Sequence, residues 1–191
     1  MIARIKRILT FWYYRYWSRD SVGYARHLGM TIGRDCRLIT YSFGSEPFLI
    51  EIGDRVTITA GVRLLTHDGA TWLIRDDKGR RFYYNRVKIG SDVFVGIDSI
   101  VMPGVVIGDR VIVAAGSVVT KSIPSGVIVG GNPAKIIGSY DDYEKKRLEE
   151  FVSEKDLDYS LPYPDRIRQV CDTATKGPLS TTKKINERAE A

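Results

Sequence analysis

The chain has 191 residues, 43% hydrophobic and 27% charged, an ordinary globular composition with length for one principal domain and its appendages. Two scattered cysteines, Cys36 and Cys171, exclude a disulfide framework and a thiolate metal site and favour a reducing cytoplasm. A net charge of +6 suits phosphate-bearing small molecules or an anionic membrane surface; no RNA- or DNA-binding signature accompanies it, so nucleic acid is set aside as a partner.

Residues 1–31 form a basic, aromatic, helical segment. Five Lys/Arg in residues 1–20 stand among Phe11, Trp12, Tyr13, Tyr14, Tyr16 and Trp17. Arg15 and Arg19 interrupt any apolar core, which excludes a secretory signal and a spanning helix. A helix is predicted from Ile2 to Trp17, with Ile5, Ile8, Leu9 and Trp12 on one face at spacings of three and four. Two roles suit it: a cap over the open end of the next domain, or peripheral contact with the inner face of a membrane. His27 reads as a structural histidine.

From Ile32 a six-residue period begins. Ile32, Cys36, Leu38 and Ser42 take inward places. The phase slips through SFGSEPFLI, where Pro47 marks a bulge or loop, and resumes with Ile52, Val56, Ile58, Val62 and Leu64. The block holding His67 breaks the pattern, because Asp68 falls where an apolar residue belongs. A carboxylate there is costly unless paired, and such violations mark functional sites. Residues 70–88 lack the period; Asp77-Lys78-Gly79 between apolar flanks predicts a protruding hairpin.

The run from Ile89 to Ile137 carries the period most clearly. Ile89, Val95, Val101, Ile107, Val113 and Val119 open successive blocks, and Val93, Ser99, Val105, Val111, Ser117 and Ile123 follow four residues later. Each block is too short for a helix, and its inward pair has the even spacing of a strand. Three blocks make one coil of a three-sided parallel β-solenoid. After it, DDYEKKRLEEFV reads as a helix with i,i+4 charge pairs, and the polar stretch from about Asp172 reads as a mobile tail.

These blocks, with VFVGIDS, VAAGSVVTK and GGNPAK, resemble the hexapeptide-repeat acyltransferases over about residues 32–138. The galactoside, maltose and polysaccharide O-acetyltransferase branch is nearest. The resemblance implies a left-handed β-helix as the fold, mainly β, spanning 32–138 with an excursion loop at 70–88 and a helix and tail over 139–191. It also implies acetyl-CoA as donor, no metal, and a homotrimer with active sites between subunits.

By the same resemblance His67 is the general base, since an acceptor hydroxyl needs a base titrating near neutrality before it attacks a thioester. Asp68 or a backbone carbonyl then fixes its tautomer. Phe94 matches an aromatic position beside the catalytic histidine, and Gly96 allows close backbone approach. The Gly96 or Ile97 N–H faces the developing oxyanion. Ala115 lies along the pantetheine arm, and Thr120, Lys121 and Lys135 lie near the adenosine and phosphate end. Phe94 and Ile97 replace the tryptophan and serine of many sugar-acetylating relatives. Tyr83, Tyr84 and Asn85 are acceptor candidates on chemistry alone.

The expected activity is therefore O-acetylation of a sugar or surface-polysaccharide precursor. N-acetylation of an amino sugar nucleotide and O-acetylation of a streptogramin-type antibiotic use the same base and donor. A zinc hydratase is excluded by having only His27 and His67, and a non-catalytic scaffold is the reading outside the transferases.

Overall fold

A computed structural model describes residues 2–171, 173, 174 and 177. They fall into two compact units, Met1–Arg147 and Leu148–Ala191. In the first unit, short strands stack on three faces. The first face holds Thr31–Ile32, Ile50–Ile52, Val87–Ile89 and Val106–Ile107. The second holds Arg37–Leu38, Thr57–Ile58, Val93–Val95, Val111–Val113 and Val127–Gly130. The third holds Arg63–Leu64, Ile100–Val101 and Val118–Val119.

Successive coils pair in parallel and in register. Val95 meets Val113 and Val101 meets Val119, three hexapeptides further on. Both apolar series, Ile89 to Val119 and Val93 to Ile123, are buried. Two of their members are serines, and burial without partners would cost each of them dearly. Both hydroxyls instead donate to Ala114 O, Ser99 at 3.1 Å and Ser117 at 2.6 Å.

The edge after the first face shows why its turns in the second to fourth coils read Ile-Gly-Asp or Ile-Gly-Ser. Each backbone N–H there donates to the side chain one coil on: Arg34 N to Asp54, Asp54 N to Ser91, Ser91 N to Asp109 and Asp109 N to Ser125. The glycine beside each has no room for a side chain. A Cβ on Gly90 would lie 2.8 Å from the backbone of Gly108. Ion pairs climb the same edge, Arg34–Asp54 at 3.0 Å and Arg55–Asp92 at 2.6 Å.

Three details depart from the sequence reading. Phe43, not Ser42, turns inward where the phase slips, and Ser42 is exposed. Asp68 is exposed rather than inward, because Thr66 takes the last buried place of its coil. The final strand, Lys135–Ser139, doubles back antiparallel on Val127–Gly130 instead of continuing the helix.

The appendages are the expected ones. Helix α1 spans Ile2–Trp12 and passes into a π-helical turn, Tyr13–Ser18, so the predicted helix is regular only in its first part. Helix α2, Ser21–His27, was not foreseen; Asp20 caps it by accepting from Gly23 N at 2.7 Å. The excursion carries the hairpin, Arg75–Asp76 against Gly79–Arg80. Helix α3, Tyr140–Glu150, follows the last strand with Asp141 and Asp142 in its first turn, where the helix dipole favours them. In the second unit, Ser153 and Asp156 form a capping box, and helix α4 spans Tyr163–Val170. Most of the tail from Asp172 lies outside the described residues.

The inward and outward halves of one strand give a direct check. Ile107 is 1% accessible and its neighbour Val106 is 45% accessible. Ile107→Ala should cost about 2–5 kcal/mol in urea unfolding, from lost burial plus a cavity, while Val106→Ala should stay within about 0.5 kcal/mol.

Candidate active site

His67 stands where the second coil leaves the solenoid. The two ends of the excursion are zipped together there: Asn85 N donates to Thr66 O at 2.8 Å and Asp68 N to Tyr83 O at 3.1 Å. His67 and Tyr84 oppose each other in an isolated antiparallel bridge. The stalk thus fixes the backbone of His67 before any side-chain contact is counted. The ring remains 43% accessible.

Glu46 holds that ring. Its Oε2 lies 2.8 Å from His67 Nδ1 and accepts from Thr66 Oγ1 at 2.8 Å. The turn Pro47–Leu49, which begins with a buried proline, sets the carboxylate in place. Burial opposes the charge on Glu46, yet the hydrogen bonds from Thr66 and His67 outweigh it and hold the carboxyl below its ordinary range. With Nδ1 engaged by an acceptor, the proton of a neutral imidazole belongs on Nδ1 and its lone pair on Nε2.

Asp68 does not hold the histidine. Its carboxylate accepts from Ala70 N at 2.9 Å and caps the short 3₁₀ turn Gly69–Leu73. The sequence reading missed Glu46, which lies far from His67 in the chain. The available signal was that it is the one acidic residue of the phase-breaking segment before Pro47.

A cavity of about 400 Å³ adjoins the pair, lined by Glu46, Phe48, Leu49 and Tyr84. Tyr84 has its ring centroid 6.1 Å from that of His67 and stacks on Phe82. Asn85 is otherwise engaged: its amide donates to Tyr83 Oη at 3.1 Å, and its Oδ1 accepts from Arg86 N.

The residues expected to line the donor fall on two edges of the prism. Register puts Thr66–His67, Pro103–Gly104 and Lys121–Ser122 at one edge on successive coils, so Thr120 and Lys121 share the edge of the histidine. Lys121 also borders a small cleft with Ala134 and Ile136, on either side of Lys135. Gly96, Ile97 and Ala115 sit at the other end of the third face, where Gly116 N donates to Ile97 O.

Gly96 is constrained by the fold. Its N–H donates to Val113 O at 2.8 Å, and a Cβ would lie 2.5 Å from Ala115 N. The Ile97 N–H has no backbone acceptor among the described residues, so of the expected pair it is the one left as a candidate. Phe94 points out from the second face between Thr57 and Ile112, so it is not beside His67 of its own chain. Among the described residues no group of three or more His, Cys, Asp or Glu is placed to hold a metal ion, and no helix is long and apolar enough to cross a membrane.

Residues 86–121 match the family model described as bacterial transferase hexapeptide (six repeats). The chain is 46% identical to Protein CapG of Staphylococcus aureus over 146 residues, covering 75% of this chain and 83% of that one. The chain belongs to the hexapeptide-repeat acyltransferase family. A putative acetyltransferase of Bacillus subtilis, YvoF, is 31% identical over 155 residues, covering 78% of each chain. The solved maltose O-acetyltransferase of Clostridium difficile 630 superposes with a TM-score of 0.51 at 33% identity, over 58% of this chain and 59% of that one. The fold is accordingly the left-handed parallel β-helix of this acyltransferase family, and the chain is an enzyme of the acetyltransferase class.

The Glu46 pairing has a pH signature. A carboxyl whose folded pKa is depressed stabilises the fold above its unfolded pKa, and that contribution is lost as pH falls through the folded value. Glu46→Gln should therefore lower the urea midpoint at pH 7, and the gap to wild type should close as both forms are taken to about pH 3.

Proposed function

We propose that this protein transfers acetyl from acetyl-CoA to a hydroxyl of a sugar, with His67 as general base. The observation that carries the reading is the Glu46–His67 pair at 2.8 Å, partly accessible and bordering a cavity walled by Phe48 and Tyr84. A scaffold has no use for an imidazole held in one tautomer by a cavity-lining carboxylate.

The chemistry follows from the tautomer. His67 Nε2 takes the acceptor's hydroxyl proton as that oxygen bonds to the thioester carbon. Glu46 stabilises the imidazolium so formed, and the proton then passes to the departing thiolate as the C–S bond breaks. The Ile97 N–H meets the charge that develops on the carbonyl oxygen. Tyr84 and Phe48 offer faces for a sugar ring, and Lys121, with Lys135, offers ammonium groups to the phosphates of the donor.

The split of these residues between two edges supports a homotrimer. In that arrangement the His67 edge of one copy faces the Ile97–Ala115 edge of the next, and Phe94 of the neighbour approaches the histidine. Asp68 keeps its capping role, and Gly96 contributes by letting Ala115 approach. A surface-polysaccharide precursor handled in the cytoplasm is the acceptor class that suits both the sugar-modifying relatives and the basic N-terminus.

Thiol release from acetyl-CoA in the presence of sugars, nucleotide sugars and lipid-linked saccharides tests this. His67→Ala should reduce turnover by about 10²–10⁴-fold with the circular dichroism spectrum unchanged; near-normal turnover would remove the mechanism. Lys121→Glu should raise the KM for acetyl-CoA at least about tenfold while kcat holds, because a phosphate contact becomes a repulsion.

A further inference from the structure

The first helix does not cover the solenoid with its apolar stripe. Phe11 and Tyr14 make that contact instead, packing against Tyr24 at 5.7 and 5.6 Å between ring centroids, with Phe11 also edge-on to Tyr41. The stripe at helical spacing, Ile5, Ile8, Leu9, Trp12 and Tyr16, is left facing outward. Leu9 is 63% accessible, and Trp17, just beyond, is 84% accessible.

Exposed aliphatic and indole groups in such a row are unfavourable in water. Their surroundings select the occupant. Residues 1–19 hold five Lys/Arg and no acidic residue, so nearly all of the chain's net charge of +6 lies there. Tryptophan and tyrosine at one end of an apolar stripe, in a segment whose charges are all basic, match the headgroup layer of a bilayer. Arg15 lies over the rings of Tyr16 and Tyr41, at the border between the stripe and the solenoid.

We propose that α1 and the aromatic turn after it dock this protein on the surface of an anionic lipid bilayer, without spanning it. The apolar stripe enters the headgroup boundary, and the basic side chains meet acidic lipids. Each Lys or Arg near such a surface adds about fivefold to partitioning. The docked end is also the end nearest the site. Phe48 walls both the cavity beside Tyr24 and Leu28 and the cavity beside Glu46 and Tyr84. The docking itself stands on α1 and is independent of the acetyl-transfer reading.

The test uses the full chain and vesicles of phosphatidylcholine, with and without about 30 mol% phosphatidylglycerol. Wild type should co-sediment with the anionic vesicles and at least tenfold less with the neutral ones, and about 1 M salt, where the Debye length is about 3 Å, should weaken binding. In a Trp72→Phe background, emission from Trp12 and Trp17 should shift to the blue on binding. Leu9→Glu and Trp17→Ala, both at exposed positions, should each lower the partition coefficient about tenfold with unchanged circular dichroism. Wild type remaining in the supernatant, or Leu9→Glu binding as wild type does, overturns the proposal. So does the finding that Leu9→Glu splits an oligomer while wild type ignores vesicles, which would make the stripe a contact between copies.

Discussion

Parallel pairing between successive coils governs this molecule, because a strand of two or three residues has no stability of its own. Each one exists only as a rung between the coils on either side. The side chains inside must therefore repeat at the same two places per face, coil after coil. Ile58, Val95, Val113 and Val129 form one such column through the second face. The same demand excludes a side chain at the glycines of the first edge, where the next coil's backbone already fills the space. A carboxylate or hydroxyl one coil on then satisfies the N–H groups of each turn.

A scaffold this regular offers chemistry only where the period is interrupted. There are two interruptions in the early coils, and they cooperate. The segment around Pro47 brings Glu46 to the third-face edge, and the excursion after Leu64 leaves His67 at that same edge. Neither insertion makes a site alone. The first supplies a carboxylate without an imidazole, and the second an imidazole without an orienting partner. Tyr84, on the returning arm, closes the cavity the two share. Further along the edge, coils without insertion carry Thr120 and Lys121.

The solenoid was legible because its constraint is local and repeated: two inward residues in every six are visible without knowing what they touch. The excursion was legible as a loss of that period, and its hairpin as Asp77-Lys78-Gly79. His67 stood out at the boundary. Its partner did not, since Glu46 reaches it through a fold contact that spacing cannot encode, whereas Asp68 is adjacent in sequence and draws attention that its cap to Ala70 does not justify. Gly96 is ambiguous in a similar way. A glycine needed for close approach looks alike whether the approaching group is a ligand or the next coil. Phe94 was placed beside the histidine by resemblance; within its own chain the outward side of the second face puts it beside Thr57 and Ile112. For the first helix, periodicity identified the apolar stripe but not its direction, which depends on Phe11 and Tyr14 winning the contact with Tyr24 and Tyr41.

The central claim is that one site is completed by two edges of the prism belonging to different copies, with His67 as its base. Mixed assemblies test it most directly. His67→Ala chains lack the base, and Ala115→Trp chains block the donor's edge, so assemblies of either alone should be inactive. Refolded together in equal amounts, they should recover about a quarter of wild-type turnover, since random neighbours place an intact His67 edge against an intact Ala115 edge at that frequency. A mixture no more active than its parents would contradict the account.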